Sequence, residues 1–91
     1  MSDLLTNVIA IRGVDYTVSE IDGKTMRTVR NYIKESPEKV EAFLAWKCTV
    51  KPAFKSEEEA LGSSHAISKA ISEEAFRLSR LEDGAGEAKN D

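Results

Sequence analysis

Three places in the chain hold side chains that could do chemistry: Cys48, His65 and the run Glu57-Glu58-Glu59. A cysteine nucleophile needs a thiolate and a base beside it. His65 is the single histidine, and it falls in a different predicted element from Cys48. Cys48 sits in an apolar stretch, where a buried, inert thiol is the usual case. As the only cysteine it cannot close an internal disulfide, and no oxidising compartment is implied. A metal site needs several ligands that converge, and there is no second histidine or cysteine to share one. The glutamates follow Ser56 as a capping box, with serine at the cap and Glu59 three residues on. They suit the positive end of a helix dipole and read as a solvated helix start. His65 opens the last predicted helix and reads as an exposed first-turn residue. The glycines, at 13, 23, 62, 84 and 86, fall in turns or in the tail and form no phosphate-cradling loop. The expectation is a protein that is not an enzyme and holds no cofactor.

Binding chemistry is bounded in the same way. The net charge is −3 and the pI about 5.2. Duplex nucleic acid is a polyanion that calls for a concentrated basic face. The longest basic-leaning stretch holds Lys24, Arg27, Arg30 and Lys34, which spread around a helix and do not form one stripe. No nucleic-acid partner is expected. No apolar run approaches the ~18 residues that cross a bilayer, so no membrane partner is expected either. Met1-Ser2-Asp3 is not the basic start of a secretory signal. These points predict a cytoplasmic protein.

The elements that position these residues follow from patterning. With 91 residues, 41% hydrophobic and 32% charged, the chain has room for one domain with a modest core. Val8-Ile9-Ala10-Ile11 is β-branched and compact, and Tyr16-Thr17-Val18 resumes a strand pattern after Gly13. A hairpin over 8–18 that turns near Gly13 is predicted. Such a hairpin is marginal alone and must lie on something apolar. Met26, Val29 and Ile33 recur at helical spacing within a helix over 24–35, with Tyr32 on its flank. Ser36-Pro37 ends it, with Ser36 as the cap of a second helix over 37–50. That helix carries Val40, Phe43, Leu44, Cys48 and Val50 on a broad apolar face, with Trp46 extending it and Lys47 laid along it. Phe54, in the connector after Pro52, is expected to plug into the core. A short helix from Ser56 stops at Gly62. Ser63 or Ser64 caps the last helix, to about Glu82, with Ile67, Ala70, Ile71, Ala75, Leu78 and Leu81 on one face. Residues 83–91 carry no large apolar side chain and read as a disordered tail. The predicted architecture is mainly α. An N-terminal β-hairpin packs on a bundle of three to four helices, all within a single domain over residues 1–82.

One side chain does not fit this frame. At about 100° per residue, Phe76 points roughly opposite to Ile67, among His65, Lys69, Ser72 and Arg80. Either a loop or the hairpin covers it, or it is a contact anchor for another chain. Trp46, Phe54 and Phe76 are the candidate protein-binding residues.

The order of elements resembles the tail assembly chaperones of long-tailed bacteriophages. The likeness spans roughly residues 8 to 82. It rests on the strand, Gly13 and Tyr16-Thr17-Val18-Ser19-Glu20-Ile21, and on the apolar helix Val40-Glu41-Ala42-Phe43-Leu44-Ala45-Trp46-Lys47-Cys48 before Pro52. The short acidic segment up to Ala60 and the ending Phe76-Arg77-Leu78-Ser79-Arg80-Leu81 complete it. The resemblance implies a protein of the host bacterial cytoplasm that binds the tape measure protein and keeps it soluble. It also implies that the protein helps recruit the tail tube protein and is absent from the finished virion. It further implies weak self-association along a long client, and a longer frameshifted form of which this chain would be the short, unshifted version. The physics suits the role, because a helical client exposes apolar stripes and a groove between helices, rimmed by charge, complements them.

The main alternative is a small helix-turn-helix DNA-binding regulator of a phage. Helix 57–61, Gly62 and helix 64–82 offer a loose match. Against it, Ser64-His65-Ala66-Ile67-Ser68-Lys69 brings one lysine to the would-be recognition helix, and three glutamates stand just before. An enzyme-inhibiting decoy would want a denser acidic surface. A subunit that stays in the virion is the remaining alternative.

Overall fold

Arg12 and Gly13 both hold positive φ, 53° and 81°. The type I′ two-residue hairpin turn needs that pair of conformations, and its twist matches the right-handed twist of the strands it joins. It folds β1 (Thr6–Ile11) back on β2 (Val14–Ser19), with Ile11 opposite Val14 and Thr6 opposite Ser19. The computed structural model describes residues 4–87. One face of the hairpin carries Ile9, Ile11, Tyr16 and Val18 against the core. Val8 stands on the other face, opposite Thr17, and is exposed.

Four helices follow: α1 (Gly23–Glu35), α2 (Val40–Cys48), α3 (Glu57–Leu61) and α4 (His65–Glu87). The fold is mainly α with N-terminal β elements, as predicted. Asp22 starts α1, its carboxylate accepting from the Thr25 amide at 2.7 Å. Ser56 starts α3 and accepts from the Glu59 amide, while Glu59 reaches back to the Lys55 amide. Ser64 starts α4 and accepts from the Ala66 amide.

The second helix differs from its predicted course at both ends. Pro37–Lys39 is a 3-10 turn, and the Ser36 side chain makes no capping bond. The Ser36 amide instead closes α1 on the Tyr32 carbonyl. At the other end, Thr49–Lys51 is not helical but extended, as β3, and pairs antiparallel with β2 across an irregular register. The free edge of β2 offers backbone partners, and Thr49 and Val50 are β-branched residues that favour a strand. Val50 therefore leaves the apolar face and is exposed. The sheet has three strands in the order β1-β2-β3.

α2 is apolar on nearly all sides, with Val40, Ala42, Phe43, Leu44, Ala45 and Cys48 all buried. A helix of that kind belongs inside a bundle, and α2 touches α1, α3, α4 and β3. The most deeply buried large side chains are Leu44, Ile71, Val18, Val29 and Cys48, drawn from α2, α4, β2 and α1. Ile33, on the predicted stripe of α1, is exposed; a stripe is covered only as far as its neighbour reaches.

α4 is rotated relative to its apolar stripe. Ser68 and Ser72 are buried beside Ile71, Ala75 and Leu78, while Ile67 and Ala70 are only half-buried. Both hydroxyls donate to carbonyls of their own helix, His65 and Lys69. Satisfied in this way, the serines act as small residues that let α4 approach closely. The helix also runs past Glu82 to Glu87, where the composition predicts a tail. Extending an existing helix needs no new nucleus, although Gly84 and Gly86 each cost ~1 kcal/mol relative to alanine. The rest of the predicted tail, 88–91, lies outside the described residues.

Polar links tie β1 and the segment after β2 to α4. The Ile21 amide donates to Ser79 Oγ at 3.0 Å. Asn7 Nδ2 donates to Glu74 at 3.0 Å, and Glu74 is also bonded by Arg77. The Arg77 bonds and the Asn7 bond together hold the Glu74 carboxyl below its ordinary range, against its partial burial.

Candidate functional site

Phe43 and Trp46 are three residues apart on α2, so their rings are neighbours on one helix surface. They meet edge to face with centroids 6.0 Å apart. Tyr32, from the last turns of α1, meets the other side of Phe43 at 5.2 Å, again edge to face. Three aromatic rings thus form a ladder along the seam between α1 and α2, in the geometry that ring quadrupoles favour. A lysine closes each end. The Lys47 ammonium lies 4.3 Å from the Trp46 ring centre, and that of Lys39 lies 5.7 Å from Tyr32.

At the Trp46 end the seam opens into a groove of about 590 Å³ lined by Asp22, Lys24, Thr25, Thr28, Phe43, Trp46 and Lys47. The floor is aromatic, and the rim carries both signs of charge. The Asp22 carboxyl is held below its usual value by the bond from the Thr25 amide, and Lys47 and Lys24 add to the shift. It is therefore a carboxylate at neutral pH. Phe43 is buried, whereas Trp46 is half-buried and presents part of its indole to the groove.

Of the three candidate binding residues, Trp46 alone lines this groove. Phe54, half-buried after β3, packs against the core, and so does Phe76 on α4, where the rotation of the helix brings its ring partly inward. The three are not gathered into one site. Residue patterning missed Tyr32 as a member of the ladder and Asp22, Thr25 and Thr28 as the rim. The spacing of Phe43 and Trp46 was a usable signal; the approach of Tyr32 from another helix had none.

A second, smaller concavity of about 100 Å³ lies where α2, α3 and α4 meet, between Glu38, Glu41, Leu61, Ser63 and His65. His65 Nδ1 is 3.3 Å from Glu41. The Ser63 hydroxyl donates to the Ala60 carbonyl, so it is committed to the backbone and not to His65. Cys48 lies in the core, where burial pushes its thiol up to about 12, opposed by the nearby Ser19 side chain. A thiol with that pKa stays protonated at neutral pH and is a poor nucleophile. Among the described residues no group of three or more His, Cys, Asp or Glu could hold a metal ion. Among them, too, no helix is long and apolar enough to cross a membrane.

Compared with known proteins, the chain matches no family model, no curated protein and no solved structure.

Proposed function

We propose that this protein is a binding module for an apolar helical segment of another protein, acting as a tail assembly chaperone of a long-tailed bacteriophage. Its client would be the tape measure protein, kept soluble while the tail tube protein assembles around it. The chaperone would act in the host cytoplasm, without enzymatic activity, and leave before the virion is complete.

The observation that carries this reading is the half-buried Trp46 at the mouth of the groove, braced between Phe43 and Lys47. A large aromatic ring held rigidly in a charged rim loses little entropy when a partner covers it, and tryptophan dominates many interfaces for that reason. A client helix offers apolar side chains at i, i+3 and i+4, and one or two of them fit an opening of this size. Asp22 and Lys24 at the start of α1 and Lys47 on α2 put both signs of charge on the rim, which can select the orientation of a charged client helix. Phe54 and Phe76 are supporting contacts in this proposal.

Co-expression with the large coiled-coil product of a neighbouring gene tests the idea. The client should become soluble and be recovered with this chain, and Trp46 emission should shift on binding. Trp46→Ala should weaken capture at least tenfold, equivalent to about 1.4 kcal/mol or more, with the helical circular dichroism unchanged. A client that stays insoluble, or one that Trp46→Ala binds as well as wild type, refutes the proposal. Salt-sensitive binding of duplex DNA in a mobility-shift assay would instead support the helix-turn-helix regulator.

A further inference from the structure

We propose that the free edge of β1 pairs antiparallel with β1 of a second copy of this chain, so that two three-stranded sheets join into one of six strands about a two-fold axis at Val8. This goes beyond the client-binding reading and does not depend on it.

The two edges of the sheet are built differently. β3 is three residues long, meets β2 through an irregular register, and ends at Lys51 and Pro52. Shortness, irregularity, a lysine and a proline are the devices by which natural sheets keep an edge from pairing. β1 has none of them. It runs six residues, Thr-Asn-Val-Ile-Ala-Ile, with regular pairing to β2 and no charge or proline.

The backbone of β1 is half used. The Glu20 amide donates to the Leu5 carbonyl. Bonding alternates along an antiparallel strand, so Leu5, Asn7, Ile9 and Ile11 face β2. Thr6, Val8 and Ala10 aim their N–H and C=O groups outward, and all three are exposed. No strand lies beyond them among the described residues. Only one antiparallel register joins these three residues to the same three of the second copy with none left over. It sets Val8 opposite Val8 of the second copy and Thr6 opposite Ala10, and it makes about six interstrand hydrogen bonds.

The same register covers part of the exposed apolar surface, at Leu5 and Val8. Leu5, Val8 and Val14 are three of the exposed large hydrophobic residues, and all belong to the hairpin or its lead-in. Val8 meets its own symmetry mate on the outer face. On the inner face Leu5 falls opposite Ile11 of the second copy, whose cross-strand neighbour is Val14. Asn7 falls opposite Ile9. No two like charges face each other, because the strand has none. A strand pair of this symmetry is isologous and closes on itself. It yields a dimer and leaves the α1–α2 groove out of the contact.

Light scattering behind size-exclusion chromatography, with hydrogen exchange on the full chain, tests the proposal. The wild type should run at the mass of two chains, and dilution should return it to one. Amides of Thr6, Val8 and Ala10 should slow as concentration rises, while those of Asn7, Ile9 and Ile11, already bonded to β2, should not change. Val8→Lys puts two ammonium groups together on the axis and should halve the mass with circular dichroism unchanged; Val8 is 54% exposed, so the monomer tolerates the change. Val50→Lys, beside the protected edge, should leave the dimer intact. A wild type that remains one chain at millimolar concentration overturns the proposal, even if an added protein then slows the same amides. So does a dimer that survives Val8→Lys with fast exchange at Thr6, Val8 and Ala10.

Discussion

Asp22 has two duties. It satisfies the Thr25 amide at the start of α1 and supplies the negative charge of the groove rim. The bond it accepts is made to the carboxylate, so the folded carboxyl titrates below its unfolded value. Its stabilisation is complete above the unfolded pKa and is lost as the pH falls through the folded one. Replacing it, Asp22→Ala, should cost about 1 kcal/mol at neutral pH, the usual worth of an N-cap. The gap between the two proteins should close as the pH drops below the ordinary carboxyl range of about 4. Urea titrations at a series of pH values measure this. A gap that persists in acid would assign the effect to packing and not to the charged bond. His65 and Cys48, the residues with the most reactive side chains, lie in opposite surroundings. One is an exposed helix start beside Glu41 and the other a core thiol.

At the scale of elements, the contact between α2 and α4 organises the bundle. On its buried side α4 carries Ser68, Ile71, Ser72 and Ala75, three of them small. Because the Ser72 hydroxyl bonds within its own helix, removing it takes the donor away and leaves the Lys69 carbonyl its helical partner. Ser72→Ala should therefore change stability by less than about 0.5 kcal/mol. Ser72→Leu should cost about 1–3 kcal/mol, because the added volume has nowhere to go. Denaturation midpoints of the two variants distinguish a spacer from a polar anchor: equal losses would contradict the spacer role. The same rotation of α4 explains why Phe76 is neither fully covered nor fully free.

At the scale of the molecule, α2 joins every layer, since it contacts α1, α3, α4 and β3. A domain whose core passes through one central helix has no subset of elements that can open alone with its apolar surface still covered. Trp46 fluorescence and far-ultraviolet circular dichroism should therefore lose their signals in one coincident transition. Leu44→Ala, at the fully buried centre, should move both by the same amount, about 2–5 kcal/mol. Separate transitions would mean that the sheet and the bundle hold independently.

Local signals were legible in the sequence. The turn at Gly13, the cap at Ser56, a serine cap at 63 or 64, and the boundaries of α1 and α3 all depend on residues within about four positions of one another, and such interactions are written in neighbouring letters. The adjacency of Phe43 and Trp46 is of the same kind. Tertiary structure alone decided the rest. Thr49–Lys51 became a strand because β2 had an edge to fill, although the preceding apolar pattern was helical. α4 buries Ser68 and Ser72 where the stripe of larger side chains predicts Ile67 and Ala70. Tyr32 joined the aromatic ladder from another helix. Each of these outcomes depends on which surface a distant segment presents, and side-chain burial and backbone pairing across such distances have no counterpart in local spacing.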